Sequence, residues 1–444
     1  MNALRNPAAP LPAALALTLT LALWAAAPLD AQQRAVAFRG AHIIPIVGAP
    51  IDNGVLVVLD GRITAIGPAA STPVPADAEV HDVTGHVIMP GLVDTHSHIG
   101  GGDGGDASAP MHAGVRVLDA IDVRDDGIRK ARAGGVTTAN IMPGSGLLMS
   151  GQTAYVKLRD ARTIRDMLFC ADVLTDVCGG IKMANGTNPI GTGTMPATRA
   201  RSAAIVRETF VRAQEYRAKL RGAGDGSPPT RDLALETLVQ VLDGERVVHF
   251  HTHRHDDILT ALRLADEFGF RIVLQHVSEA WKVADEIAAS GAPASIILLD
   301  APGGKLEAVD VSMQNGAALE RAGALTGFHT DDGITDSRFF LRSAGLAVRY
   351  GMSRDAALHG LTLAGARMLD LEDRIGSLEP GKDADFIVLS GDPLSVYTHV
   401  EQTWIDGERA FDLDDPRDRA FAVGGYGVGS AAASQHHTGM EGHQ

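Results

Sequence analysis

Two histidines, two positions apart, end an apolar run in the first quarter of the chain. The segment VIMPGLVDTHSHIGGG, residues 87–102, places His96 and His98 after the apolar residues 87–93. Successive side chains of a strand point to opposite faces, so both imidazoles face one side, roughly 6–7 Å apart. Imidazoles are ligands for zinc and similar divalent ions. Taken alone, the pair also fits a polar strand end that leads into a glycine-rich loop.

More polar groups follow four other apolar runs, in the segments GGIKMANG, RVVHFHTHRHDDI, RIVLQHV and ALTGFHTDDGI. The candidate side chains are Lys182, His249, His251, His253, His255, His276, His329, Asp331 and Asp332. Catalytic groups of βα barrels lie at the carboxyl ends of the strands. Repetition of polar groups at this position therefore predicts a metal site rather than isolated polar residues.

The middle of the chain alternates between apolar runs and stretches of helical periodicity. The runs lie near 87–93, 136–142, 247–251, 271–276, 294–299 and 324–330, and the helical stretches cover 112–133, 198–220, 256–268, 279–290, 335–350 and 354–369. This order predicts parallel βα units and an α/β fold, most economically a (β/α)8 TIM barrel over residues 87–373. Its third and fourth strands are expected within 144–182.

Both flanks of this region are short and β-rich. Residues 32–86 contain the turn dipeptides Asn53-Gly54 and Asp60-Gly61, and residues 374–412 contain Asp406-Gly407. Such dipeptides between apolar runs are typical of hairpins. The flanks predict a small β-sandwich built from both chain ends, followed by a C-terminal tail at 413–444.

Composition narrows the class of protein. The 444 residues are 45% hydrophobic and 21% charged, with a net charge of −15, which is typical of a globular enzyme and argues against nucleic acid as a partner. Cys170 and Cys178 are too few for a disulfide scaffold, and whether they pair is left open.

The N-terminus has the pattern of a secretory signal peptide over residues 1–31. Arg5 precedes an apolar stretch from about Leu11 to Ala27, and Ala31 stands before Gln32. The pattern predicts a periplasmic or secreted protein without a stable membrane span after cleavage. An uncleaved anchor is the alternative, because roughly seventeen apolar residues are the lower limit for a spanning helix.

Two motifs resemble a known family. PGLVDTHSH at 90–98 and IGSLEPGKDADF at 375–386 are similar to segments of the amidohydrolase superfamily, within its imidazolonepropionase-like and prolidase-like branch. The resemblance covers residues 35–412. It implies a metal-dependent hydrolase barrel with a β-sandwich from both chain ends, in agreement with the pattern above.

The resemblance also implies roles for individual residues. His96 and His98 match ligands of a first metal ion, His251 and His276 match ligands of a second ion, and Lys182 matches a lysine that is N-carboxylated and bridges two ions. Asp331 matches the aspartate that ligates the first ion and takes a proton from the attacking water. Zinc is the expected metal. Four residues are candidates for contact with substrate, with a structural or supporting role as the alternative for each: Tyr155, His253, Arg254 and Asp332.

These residues predict an exported hydrolase that cleaves the C–N bond of a small amide, such as a dipeptide, an N-acyl amino acid or a cyclic amide. A deaminase is one alternative, but deaminases of the superfamily tend to carry an acid three residues after the fifth-strand histidine, where Arg254 stands here. A catalytically inactive periplasmic binding protein is the other alternative. Homo-oligomerisation is left open.

Export has a direct test. Protein purified from an exporting host should lack about 27 to 31 N-terminal residues, because signal peptidase cleaves after the small residues that follow the apolar stretch. Intact-mass spectrometry of the soluble fraction checks this. Recovery of soluble protein that still begins at Met1 would contradict the prediction.

Overall fold

The computed structural model describes residues 34–102, 104–190, 195–223, 227–298 and 306–424. The predicted signal peptide and the tail beyond residue 424 lie outside the described residues. The strands are β1 (Val36–Ile43), β2 (Ile51–Leu59), β3 (Arg62–Pro68), β4 (Glu79–Asp82), β5 (Val87–Pro90), β6 (Leu92–Ser97), β7 (Val136–Ile141), β8 (Met149–Gln152), β9 (Ala154–Lys157), β10 (Ile181–Ala184), β11 (Val248–Thr252), β12 (Ile272–His276), β13 (Ala294–Ile296), β14 (Thr326–Phe328), β15 (Phe386–Leu389), β16 (Val400–Ile405) and β17 (Glu408–Asp412).

The helices fill most of the intervals between these strands. They are α1 (Asp126–Ala133), α2 (Arg199–Gly222), α3 (Leu233–Leu242), α4 (His255–Phe268), α5 (Ala284–Ser290), α6 (Asn315–Ala322), α7 (Phe340–Arg349), α8 (Arg354–Leu361), α9 (Leu363–Met368) and α10 (Pro416–Val423). Local chemistry sets many of their ends. The Ser353 side chain caps the first turn of α8, and α4, α5 and α6 end at glycines with positive φ, Gly269, Gly291 and Gly323. None of the described helices is both long and apolar enough to cross a membrane.

Strands from both ends of the chain form one mixed sheet. Its order is β17-β16-β15-β5-β1-β2-β3, with β4 paired to β1. Phe38 of β1 packs edge-on against Phe386 of β15 and Trp404 of β16, with ring centroids 4.9 Å apart in each pair. Apolar side chains far apart in sequence therefore share one core. The pairing of the two chain ends is confirmed, while the folding of this sheet into a sandwich stays a prediction.

The middle of the chain forms two further sheets among the described residues. One has the order β14-β13-β12-β11-β10-β8, and the other has the order β6-β7-β9. Strands β10 to β14 are parallel, whereas β8 and β9 run antiparallel to their neighbours. The predicted α/β class is confirmed. The described ladders do not by themselves close into an eight-stranded ring, so the barrel stays a prediction.

The apolar run 87–93 is two strands, not the single strand predicted. β5 pairs with β1 and β15 of the end sheet, whereas β6 pairs with β7 of the middle. Pro90 has no N–H to extend the first ladder, and a Cβ on Gly91 would lie 2.2 Å from the Thr137 side chain. The chain thus changes sheets at Gly91, immediately before the paired histidines.

Two other predictions need correction or completion. The helical stretch predicted at 112–133 is helical mainly over α1, because residues 111 and 116 form bridges beside β8 instead. The expected strands of 144–182 are present as β8, β9 and β10, two of them antiparallel. The open question about the cysteines is answered, since Cys170 and Cys178 form a disulfide.

A buried lysine joins the end sheet to the middle of the chain. Lys157, at the end of β9, is fully buried, and its Nζ lies 2.7 Å from Asp383 and 3.0 Å from Asp385. Asp406, in the turn between β16 and β17, also pairs with Lys157 and with Arg159. A buried charge is tolerated only when it is paired. This network therefore holds the two parts of the protein in register.

Lys157→Met should lower the free energy of unfolding by about 3–5 kcal/mol, because the aspartates would be left buried without their common cation. Arg159→Met is the matched control. Its side chain is one-third exposed, and loss of such a pair costs up to about 1 kcal/mol. Urea unfolding measures both. Equal free energies of unfolding for the two variants would show that the network does not hold the parts together.

Candidate metal centre

The predicted polar groups gather where β6, β10, β11, β12 and β14 end. Strand register brings them level: Ala184 is paired with His251, and Thr252 with His276. Because these strands are parallel, their carboxyl ends lie at one edge, and side chains that follow each strand meet there. The histidines and acids of distant segments thus form one cluster.

Asp94 holds the first and last of these strand ends together. Its buried carboxylate accepts hydrogen bonds from the Thr330 backbone N–H at 3.0 Å and from the Thr330 hydroxyl at 2.5 Å. The Asp331 N–H in turn donates to the His96 carbonyl at 2.9 Å. Burial raises the pKa of Asp94 to about 7, against the lowering effect of the Thr330 hydrogen bonds. The clamp sets the position of Asp331 relative to the paired histidines.

The first group of donors consists of His96, His98, Asp331 and Lys182. The two histidine Nε2 atoms are 3.3 Å apart, and Asp331 Oδ1 lies 3.3 Å from His96 Nε2 and 3.0 Å from His98 Nε2. Lys182 Nζ lies 2.9 Å from His96 Nε2. Ligands bound to one zinc ion at about 2.1 Å in tetrahedral geometry are about 3.3–3.4 Å apart. The separations of 3.0–3.3 Å among His96, His98 and Asp331 are close to that spacing.

Hydrogen bonds to neighbouring groups orient the candidate ligand atoms. The His98 Nδ1–H donates to the Met142 carbonyl at 2.7 Å, which directs the other ring nitrogen, Nε2, at Asp331 and His96. Burial would raise the pKa of Asp331, but the hydrogen bond from His98 and the charges of His98 and Lys182 hold that pKa below its ordinary value. The carboxylate is therefore an anion, the form that binds a metal.

The second group consists of His251, His253 and His276, whose nearest ring nitrogens all lie within 4.8 Å of one another. The His253 ring stacks on that of His276, with centroids 4.8 Å apart, and His253 Nδ1 lies 2.7 Å from the Ser278 hydroxyl. His276 Nδ1 lies 3.0 Å from His329 Nε2, and its own Nε2 is buried with no hydrogen-bond partner among the described residues. A cation would satisfy that nitrogen.

Electrostatics favour the neutral form of three buried imidazoles of the cluster, those of His96, His276 and His329. Burial, followed by neighbouring positive charges, holds the pKa of His96 and of His276 well below the ordinary value. Burial also lowers the pKa of His329 to about 3. Neutral histidine and ionised aspartate are the states that coordinate divalent metals. The described residues therefore fit a divalent metal ion, both in donor type and in spacing.

Ten residues have a role predicted from the sequence, and seven of them meet in this cluster: His96, His98, Lys182, His251, His253, His276 and Asp331. Tyr155, Arg254 and Asp332 do not. The Tyr155 hydroxyl lies 2.8 Å from His249 Nε2 in the interior, Arg254 pairs with Asp256 at 2.9 Å, and Asp332 accepts a hydrogen bond from the Ser337 N–H at 3.1 Å.

Each of these three placements has a physical reason. Tyr155 does lie near a strand end, but β9 is antiparallel to β7, so the carboxyl end of β9 lies at the opposite edge from the cluster. Arg254 precedes α4 and turns toward the acid in the first turn of that helix. Asp332 lies beyond β14, where its carboxylate reaches the backbone that begins the next helical turn.

Two residues at the cluster received no role from the sequence. His329 is a strand-end candidate to which the resemblance assigns no role, and its Nε2 lies 3.0 Å from His276 Nδ1. Glu307 is fully buried, and its Oε1 lies 3.8 Å from His251 Nε2. No apolar run or motif precedes Glu307, so sequence spacing carries no signal for it.

Comparison with known proteins agrees with this geometry. A model described as the amidohydrolase family matches residues 171–411. Amidohydrolase tasK of Hapsidospora irregularis is 29% identical over 406 residues, or 83% of this chain and 41% of that protein, so the chain spans less than half of this relative. An imidazolonepropionase of Sphingopyxis alaskensis is 25% identical over 389 residues, or 79% of this chain and 90% of that protein.

A solved structure is similar over the same region. The amidohydrolase from Thermotoga maritima MSB8 superimposes with a TM-score of 0.80 at 34% identity. The match covers 85% of this chain and 100% of the Thermotoga chain. The matched family model covers more than half of the sequence and includes the segments that carry His251, His276 and Asp331. The protein therefore belongs to the amidohydrolase family of hydrolases that act on carbon–nitrogen bonds, in the branch that includes imidazolonepropionases.

Proposed function

We propose that the protein is an exported, metal-dependent amidohydrolase that hydrolyses the C–N bond of a small amide, such as a dipeptide, an N-acyl amino acid or a cyclic amide. One observation carries the proposal: Lys182 Nζ and Asp331 Oδ1 lie 2.9 Å and 3.3 Å from the same nitrogen, His96 Nε2, at a buried meeting point of strand ends. This donor set suits activation of water for attack on a carbonyl.

The proposal includes two divalent ions, with zinc as the expected metal, and N-carboxylation of Lys182. The Lys182 side chain is fully buried, with its Nζ 3.1 Å from Met142 Sδ as well as close to His96. An ammonium at this position would repel a dication strongly, because the interior screens charge poorly. A carbamate on the same nitrogen is an anion and can bridge ions held by the first and second groups of donors.

Asp331 is proposed as the proton-transfer residue. Bound divalent ions would polarise the substrate carbonyl and lower the pKa of a water molecule toward neutrality. Asp331 accepts the proton of that water and returns it to the leaving amine, which makes it general base and then general acid. His98, held by the Met142 carbonyl, keeps the Asp331 carboxylate in place.

The proposed fold is the (β/α)8 barrel over residues 87–373 with a β-sandwich from residues 32–86 and 374–412. Hydrogen bonds across both seams between the two middle sheets support closure. Asp331 N–H donates to the His96 carbonyl at one seam, and Thr153 N–H donates to the Gly180 carbonyl at 3.0 Å at the other. Export is supported by the N-terminal pattern and by the disulfide, since disulfides persist in oxidising compartments.

Substrate profiling tests the proposed activity. Metal-loaded protein should release free amines from a panel of dipeptides, N-acyl amino acids and cyclic amides, and chelation should abolish turnover. Release of ammonia from amino-heterocycles, with no hydrolysis of amides, would favour a deaminase. Metal binding without turnover on either panel would favour a binding protein.

Lys182→Ala should reduce the metal content of reconstituted protein from two ions per chain to at most one, because the bridging anion is lost. Elemental analysis after removal of loosely bound metal measures this. Lys282→Ala is the control, since Lys282 pairs with Asp310 on the surface. A wild type that holds a single ion, with Lys182→Ala unchanged, would contradict the binuclear centre and leave a mononuclear one.

Asp331→Asn should keep the fold and much of the metal but lose about 10²–10⁴-fold in kcat, the usual effect of removing one acid–base group. Asparagine retains an oxygen for coordination but has no proton affinity near neutral pH. Asp332→Asn is the matched control, because Asp332 is directed at Ser337. The measurements are kcat, metal content and a thermal melt. An inactive Asp332→Asn beside an active Asp331→Asn would reverse the assignment.

A further inference from the structure

Glu307 brings a buried carboxylate to the second group of donors from a loop that no motif identifies. It lies in the short helical turn Leu306–Ala308, between β13 and α6. Only 1% of the residue is exposed, although its neighbour Leu306 is 86% exposed. The loop thus directs an acid inward and an apolar side chain outward, the reverse of the usual preference. Such an inversion calls for a partner inside the protein.

One oxygen of this carboxylate is held by the loop after β10. Glu307 Oε2 accepts a hydrogen bond from the Thr187 N–H at 2.5 Å. The chain leaves space for it, because a Cβ on Gly186 would lie 2.3 Å from Oε2. Gly186 also has a positive φ of 78°, which favours glycine. The loop that follows the Lys182 strand is therefore shaped around Glu307.

The other oxygen faces the histidines. Glu307 Oε1 lies 3.8 Å from His251 Nε2 and 3.9 Å from His253 Nε2, too far for hydrogen bonds. It has no hydrogen-bond partner among the described residues. A buried carboxylate oxygen without a partner is costly, so a cation is expected beside it in the working protein.

We propose that Glu307 shares the second metal ion with His251 and His253, which gives that ion a carboxylate from the turn Leu306–Ala308. This inference rests on the proposed metal-dependent function and adds His253 and Glu307 to its ligands. Two atoms can share one ion only if they are closer than the sum of two bond lengths, about 4.2 Å for zinc. The separations of Glu307 Oε1 from His251 Nε2, 3.8 Å, and from His253 Nε2, 3.9 Å, meet this condition.

Metal titration of the full chain tests the proposal without requiring a substrate. Apoprotein prepared with a chelator is titrated with Co²⁺, and the visible ligand-field spectrum and the bound metal are followed for each ion. Glu307→Gln should lower the affinity for the second ion by about 10–100-fold and change the spectrum of that ion, while the affinity for the first ion stays as in wild type. Glu307→Asp, which shortens the side chain but keeps the charge, should weaken the second ion less.

Two further variants separate the carboxylate from the loop that carries it. Asp310→Asn is the matched control, because it removes a negative charge from the same loop at a half-exposed position paired with Lys282. Both ions should bind to it as to wild type. Gly186→Ala should reproduce the weakening seen in Glu307→Gln, since the added methyl group would occupy the place of Oε2. Thermal melts of the apoproteins establish that each variant is folded.

Three results would overturn the proposal. The first is wild-type affinity for both ions in Glu307→Gln. The second is unchanged metal affinity with a raised KM for substrates that carry an ammonium group, which would make Glu307 a substrate contact. The third is a wild-type protein that hydrolyses amides with a single bound metal ion. That result would exclude a second metal site but would leave the proposed amidohydrolase function intact. Absence of any metal-dependent hydrolysis would instead refute the proposed function itself.

Discussion

The clamp between Asp94 and Thr330 is the interaction on which the candidate site depends. It joins the first strand of the middle region to a residue more than two hundred positions later, through two hydrogen bonds to one buried carboxylate. Asp331 follows Thr330 directly, and His96 follows Asp94 by two residues. The clamp therefore sets the distance between the paired histidines and the proposed proton-transfer residue, and it does so with groups that need not touch a substrate.

Burial gives the cluster its chemistry. In water the histidines would titrate near neutral pH, but in this interior the pKa values of His96 and His276 fall well below that range. Two buried atoms of the cluster, His276 Nε2 and Glu307 Oε1, have no hydrogen-bond partner among the described residues, and such atoms cost stability unless a cation satisfies them. The features that make the site suitable for a metal are thus also features that the apoprotein retains at a cost in stability.

The motif IGSLEPGKDADF has a structural role that explains its place far from the cluster. Asp383 and Asp385 of this motif pair with Lys157, while Phe386 begins β15 and packs on Phe38. One short segment therefore supplies both an ion network and part of the apolar core that join the end sheet to the middle region. The change of sheet at Gly91 completes this junction, because β5 and β6 lie on either side of it.

The sequence by itself determined the α/β class and the participation of both chain ends in one sheet. It also determined the strand ends that carry His96, His98, His251 and His276. These features could be predicted because hydrophobic periodicity, and polar residues that follow apolar runs, are local signals. Tertiary structure decided what depends on strand direction and on loops. Tyr155 lies away from the cluster because β9 is antiparallel. Glu307 lies at the cluster because the short turn Leu306–Ala308 directs its carboxylate inward onto Gly186 and Thr187. Neither the direction of a strand nor the inward fold of an irregular turn leaves a spacing pattern in the chain, so only the folded arrangement reveals these two placements.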